Sequence, residues 1–251
     1  EILELHTVGA GAGYTEAMVL DSARIMTGYT LQWDDNKPRY GEYVYDSSIH
    51  WTGRVRVLGF THANTAADGR AVASAYIKYL AHHPATAKRI AHKLAVRFVS
   101  DNPPAALVNR LAAVYLKYDT AIVPMLRVMF SSAEFATSIG KKSYRPYEHI
   151  VATARLMQFK PAPDNLNAPQ QLVWMANDAG HNPFGQPFPT GQADTADAWS
   201  STAATLIRWN NVWRIANNDP GDVLRPPLLT VAMGPTYPAT HGALVDLVAG
   251  R

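Results

Sequence analysis

Apolar residues along this chain recur mostly every three or four positions, the period of a helix that buries one face. Val19, Ala23 and Met26 keep that spacing after Tyr14-Thr15-Glu16, where Thr15 supplies the side-chain oxygen of an N-cap, and Gly28 ends the run. The same spacing predicts a helix opened by Asn64-Thr65 that runs through Ala71, Ala75, Ile77 and Leu80. Pro84 falls in the first turn of the next, whose apolar arc is Ala87, Ile90, Leu94 and Phe98. After Pro103-Pro104 the residues Leu107, Leu111, Val114 and Tyr115 form one face, and Ile122, Met125, Leu126 and Met129 form another that closes at Ser131-Ser132, before a turn around Phe135. Pro146 starts a helix through Ile150, Ala154 and Met157, which Pro161 and Pro163 follow with an extended connection. Residues 170–179 and 198–216 return to the helical period, and a short final helix centres on Leu244 and Leu247.

Between Leu31 and Leu58 that period fails. Tyr40, Tyr43, Val44, Tyr45, Val55 and Val57 instead suggest two short strands around a polar turn, a small β-hairpin near residues 40–58. Two Pro/Gly-rich irregular stretches, 182–191 and 219–238, complete the pattern. The expected fold is mainly α: a multi-helix globular domain with one small hairpin and long Pro/Gly-rich loops. It is read as a single domain over residues 1–251. The opening segment already sits inside an amphipathic pattern with no starting Met, so an upstream portion of the same protein is expected as a partner.

Composition narrows the function classes only a little. Apolar residues make up 47% of the 251, enough for a sizeable core. No run approaches eighteen uninterrupted apolar residues, so no bilayer-spanning helix is expected. Cysteine is absent, which removes disulfides, thiolate metal sites and cysteine nucleophiles. The net charge of +3 conceals an uneven distribution: residues 51–160 carry sixteen Lys/Arg against five Asp/Glu. Such a basic block attracts anions or acidic parts of its own chain.

Individual motifs are weak. Gly9-x-Gly11-x-Gly13 leads into a capped helix, but a dinucleotide or phosphate loop needs a preceding strand or a following Lys, and neither is visible; a plain turn between helices fits better. No His-x-x-x-His or His-Glu-x-x-His pattern occurs among the nine His, so no metal is assigned and no cofactor can be named. Gly-x-Ser-x-Gly is also absent, and whether the protein is an enzyme stays open. Arg89, Lys93 and Arg97 recur every four residues as a basic stripe suited to an anion; nucleic acid would require exposed aromatics or a reading module as well. Trp209 and Trp213, four apart, have the usual spacing of a core face, with a sugar- or protein-stacking platform as the alternative.

Several segments taken in order resemble a known family. Glu1-Ile2-Leu3-Glu4-Leu5-His6-Thr7-Val8-Gly9, Gly13-Tyr14-Thr15-Glu16, Thr27-Gly28-Tyr29, His50, Val57-Leu58-Gly59, Ile90-Ala91-His92-Lys93-Leu94 and Arg97-Phe98-Val99 carry the first half of the likeness. Ser132-Ala133-Glu134-Phe135, Pro183-Phe184-Gly185, Asp194-Thr195, Trp199 and Leu206-Ile207-Arg208-Trp209-Asn210 carry the second. Together they resemble the C-terminal part of the bacterial domain of unknown function 1800 family. Trp51 after His50, where an acidic residue is usual, and Gly180-His181-Asn182 depart from its pattern. The resemblance implies a longer bacterial protein, often exported and encoded near sulfatase-like proteins, with no established reaction.

The resulting expectation is an exported or envelope-associated protein that binds or processes an envelope polymer or other polar ligand. Glu4, His6 and His50 are the acid/base candidates, and Lys93, Arg97, Arg208 and Asn210 the candidates for holding an anionic or polar ligand. The alternatives are a non-catalytic protein-interaction module that uses the loop from Asn182 to Thr190, and an anion- or nucleic-acid-binding module built on the basic stripe.

Overall fold

The computed structural model describes residues 1–161, 166–217, 223–224 and 238–249, and it is mainly helical. The chain forms two compact units, Glu1–Ile139 and Gly140–Arg251. The Pro/Gly-rich stretch expected over 219–238 lies outside the described residues except at 223–224 and 238, and Pro163 lies outside them too.

The first unit opens with a single wide helical turn, Ile2–His6, of π form. A tight loop then leads into α1, Glu16–Ile25, and Thr15 Oγ1 caps it by accepting from the Met18 N–H at 3.4 Å. Helix precedes the glycine loop, as the sequence indicated. Gly9 is fixed by more than the turn: it adopts φ +88°, and a Cβ there would sit 2.9 Å from Arg89 Cδ.

The strands expected at 43–45 and 55–57 are both present, but they do not pair with one another. Strand β1, Tyr29–Leu31, runs antiparallel to β2, Tyr43–Tyr45, while β3, Val55–Val57, turns at Leu58-Gly59 into β4, Phe60–His62. The small hairpin therefore has its turn at 58–59, beyond the polar stretch. Val55 and Val57 point into a core with Leu3, Val8, Ile25, Ala73, Tyr76 and Leu80, and this buried alternation gives β3 its register.

Helix α2 is Arg70–Ala81. Asn64 does not cap it, contrary to expectation: its backbone is left-handed at φ +48° and its side chain is used elsewhere. Helices α3, Pro84–Phe98, and α4, Ala105–Lys117, pack through a line of small residues, Ala87, Ala91 and Ala95, against Leu107, Leu111 and Tyr115. Small side chains on α3 let the larger ones of α4 come close. Phe98 is consequently off the buried line, 40% exposed, and meets Phe130 edge-on. Helix α5, Ile122–Phe130, adds Met125 and Met129 to this core, and Ser132 Oγ caps the short α6, Ala133–Ala136.

The second unit is built on α7, Pro146–Leu156, α8, Asn167–Asp178, and α9, Thr202–Ala216. Both α8 and α9 pack on α7, with Ile150, Met175, Ala176 and Ile215 in the centre. A short antiparallel pairing joins β5, Lys160–Pro161, to β6, Val223–Leu224, and α10 covers His241–Ala249. The run read as one helix over 198–216 is divided: a 3-10 turn, Ala196–Trp199, precedes Ser201, whose Oγ accepts from Ala204 N–H at 3.1 Å and starts α9.

Candidate functional site

Glu4 and His6 lie exposed on the opening π turn, and Lys93 and Arg97 lie exposed on α3. His50 is buried and follows a 3-10 turn, Ser47–Ile49. Its hydrogen bonds go to Thr27 and Asn64, not to Glu4 or His6. Its Nδ1 is 2.9 Å from the Thr27 carbonyl, and its Nε2 is 3.0 Å from Asn64 Oδ1. Thr27 Oγ1 donates to the Arg24 carbonyl and accepts from the Trp51 N–H at 2.7 Å, closing a buried polar brace. Gly69 makes room for it, because a Cβ at that position would overlap the His50 ring. Neither ring nitrogen of His50 is open toward a ligand in this arrangement.

Beside the brace, Gly69 N–H donates to the Tyr45 hydroxyl at 2.7 Å and the Arg70 guanidinium lies over the Tyr45 ring. Asp68 accepts from the Arg70 guanidinium and from the Arg70 backbone N–H, and these bonds hold its carboxyl down to about 2. Every charge in this cluster has a partner, so it stabilises the corner between β2 and α2.

Arg208 and Asn210 belong to the second unit, and Arg208 has different surroundings. Along α9, Asn211 and Ile215 are buried, whereas Trp209 and Trp213 are each 67% exposed. The expectation that these tryptophans form a core face is thereby overturned. The inward line is instead Asn211 and Ile215, with Ile207 half-buried beside them, and the polar Asn211 hides it from a reading of apolar period; its Nδ2 donates to the Met175 carbonyl at 3.0 Å. The opposite edge of α9, with Thr205, Arg208, Trp209, Val212, Trp213 and Ala216, faces His149 of α7 across an open groove of about 620 Å³.

Arg208 is the one cation in that groove wall among the described residues. Its Nη2 donates to the Tyr144 carbonyl at 2.6 Å, which fixes the plane of the guanidinium, while its Nε is buried with no acceptor. Burial lowers its pKa, yet a guanidinium stays charged at any physiological pH. Burial also lowers the pKa of His149, and the charge of Arg208 lowers it further, so this imidazole is neutral at pH 7. The wall thus offers one fixed positive charge, one neutral imidazole and two broad indoles. His149 carries no motif in the sequence; only the helix pairing brings it to Arg208.

A framework behind the groove holds α7 in place. Glu148 accepts from the Arg145 backbone N–H and from its guanidinium, Lys142 Nζ donates to the Asp194 carbonyl, and Tyr147 N–H donates to His181 Nδ1. The His181 ring stacks on Trp199 with centroids 5.0 Å apart. Burial and the nearby Arg145 lower the pKa of His181, so it serves as a neutral acceptor.

Among the described residues no cluster of three His, Asp or Glu is placed to hold a metal ion, and no helix is long and apolar enough to cross a membrane. Neither a curated protein nor a solved structure matches the chain. A family model does, over residues 1–251: the chain belongs to the family described as protein of unknown function (DUF1800).

Proposed function

We propose that this protein binds an anionic polar ligand in the groove between α7 and α9, as part of an exported or envelope-associated protein that handles an envelope polymer. One observation carries the reading: a guanidinium pinned by Tyr144, with a donor lacking any acceptor, stands in the wall of an open groove beside two exposed tryptophans. A buried donor without a partner costs about 1–3 kcal/mol, and an anion beside the same guanidinium offsets part of that cost by compensating its charge. Because Arg208 is held in advance, little side-chain entropy is lost on binding. Isothermal titration of the full chain with polygalacturonate, polyglutamate and polyphosphate, with dextran as the neutral polymer, tests it. At least one polyanion is expected to bind and to lose affinity in Arg208→Gln. Equal binding by the variant, or no binding by any polyanion, sets the reading aside.

A second reading rests on the loop after α8. Phe184 is fully exposed at φ +62°, a conformation that costs an L side chain energy, and Phe188 is largely exposed as well. An aromatic displayed on a strained backbone supports the interaction-module alternative, with a partner protein on the loop from Asn182 to Thr190. If a partner captured by the wild-type chain is retained by a Phe184→Ser/Phe188→Ser double variant, this reading fails.

A further inference from the structure

We infer that the α7/α9 groove takes an acidic sugar, a pyranose bearing one carboxylate, with the carboxylate at Arg208 and an apolar face of the ring on the Trp209/Trp213 pair. The inference rests on the reading of that groove as the ligand site, and it names the ligand's chemistry from three features.

Charge comes first. Among the described residues the groove wall holds a single cation, Arg208, and a His149 whose imidazole is neutral. One guanidinium matches one carboxylate in charge and in planar geometry. A phosphate ester, carrying up to two charges, would be left half compensated in a wall whose other members are Thr205, Val212, Ala216 and the two indoles.

Shape decides between carboxylates. An acyl chain gains by being enclosed, and this groove is open, so half of such a chain would stay in water. A pyranose is two-sided: its C–H face lies flat on an indole while its hydroxyl edge keeps its water. Trp209 and Trp213 present that kind of surface, four residues apart on one side of α9 and exposed to the same degree. Thr205 lines the same wall, and its hydroxyl, which donates to the Ser201 carbonyl, still accepts from a sugar hydroxyl. Three polar groups suffice for a ligand that leaves most of its hydroxyls in solvent.

Size is the third. About 620 Å³ lies within the range of small-molecule sites, and the open groove leaves room for a chain to run past the bound unit. A polymer of acidic sugars therefore fits as well as a monomer.

The test is calorimetric titration of the full chain with trigalacturonate, maltotriose and tripolyphosphate, on wild type, Arg208→Gln, Trp209→Ala and Trp213→Ala, each checked for folding by circular dichroism. Trigalacturonate is expected to bind at least about tenfold more tightly than maltotriose, and Arg208→Gln to weaken it by about tenfold or more, the effect of a lost charge-assisted hydrogen bond. Trp209→Ala, at an exposed position that leaves the fold intact, is expected to weaken both sugars alike. Binding of tripolyphosphate but not trigalacturonate would overturn the acidic-sugar inference and keep the anion site. Binding of none of the three, together with failure of all the polyanions above, would overturn both.

Discussion

Asn64 spans a left-handed corner with both ends of its amide: its Oδ1 lies 3.0 Å from His50 Nε2, and its Nδ2 donates to the Trp51 carbonyl at 2.8 Å. Asn is one of the few side chains that tolerates φ +48° and can still make two bonds there. Asn64→Ala leaves two buried groups without partners, and urea unfolding is expected to show a loss of about 2–4 kcal/mol. Asn64→Gly relieves the backbone but restores neither bond. Wild-type stability in Asn64→Gly would show that the two bonds contribute no more than the backbone strain that glycine relieves.

Tyr76 donates its hydroxyl to Ser22 Oγ at 2.8 Å inside the first core, and burial pushes its phenol up to about 12 from 10.0. Its neutral form is favoured in the fold, so the cost of ionisation is absent below pH 10 and grows as pH rises from 10 toward 12, where only the unfolded chain ionises readily. Wild type is expected to lose about 2–3 kcal/mol more than Tyr76→Phe across that interval. Parallel stability–pH curves for the two proteins would contradict this.

His82 closes a surface tie between the end of α2 and the turn after α4. Its Nδ1 meets the Lys78 carbonyl and its Nε2 meets Asp119 Oδ1 at 2.5 Å. The Lys78 carbonyl first and Asp119 second raise the pKa of His82, and the bond to His82 lowers that of Asp119. The histidine contribution is complete below 6.5 and disappears as pH rises through its folded value. The aspartate contribution is complete above 3.8 and disappears as pH falls. Melting temperatures of wild type and Asp119→Asn are therefore expected to differ most between about pH 4 and 6.5 and to converge in mild alkali. A difference that persists undiminished at pH 9 would assign the tie to something other than this ion pair.

Arg208 and His149 share one groove, and the charge of the first is the second cause of the lowered pKa of the second, after burial. Arg208→Gln removes the charge and leaves the burial. The His149 ring protons, followed by NMR, are expected to titrate at higher pH in the variant while staying below an exposed histidine. An unmoved titration would mean that burial alone sets it.

Much of the helical framework was legible along the chain. Thr15, Pro84 and Pro146 mark helix starts where capping and proline chemistry place them, because those signals depend only on the nearest few residues. Local signals fail where a distant partner supplies the reason. Asn64 resembles a cap, yet its side chain is claimed by His50 fourteen residues before it. The strands at 43–45 and 55–57 have the right period, but which segment each pairs with follows from the buried face of Val55 and Val57, not from adjacency.

The candidate site divides in the same way. Of the two candidates that the sequence offers on α9, Arg208 lies in the groove wall beside the two indoles, whereas Asn210 is exposed outside it. The exposure of Trp209 and Trp213 was misread, because four-residue spacing shows that two residues share a face without showing which way it points. The sequence by itself determined the helix-rich class, most helix starts and the basic and acidic distribution, all consequences of local backbone chemistry and composition. Tertiary packing alone decided that Asn211 turns inward, that α9 therefore displays its tryptophans, and that His149 of α7 stands opposite Arg208. Those outcomes depend on which faces of two helices meet, a choice made by long-range burial, and no spacing within one helix encodes it.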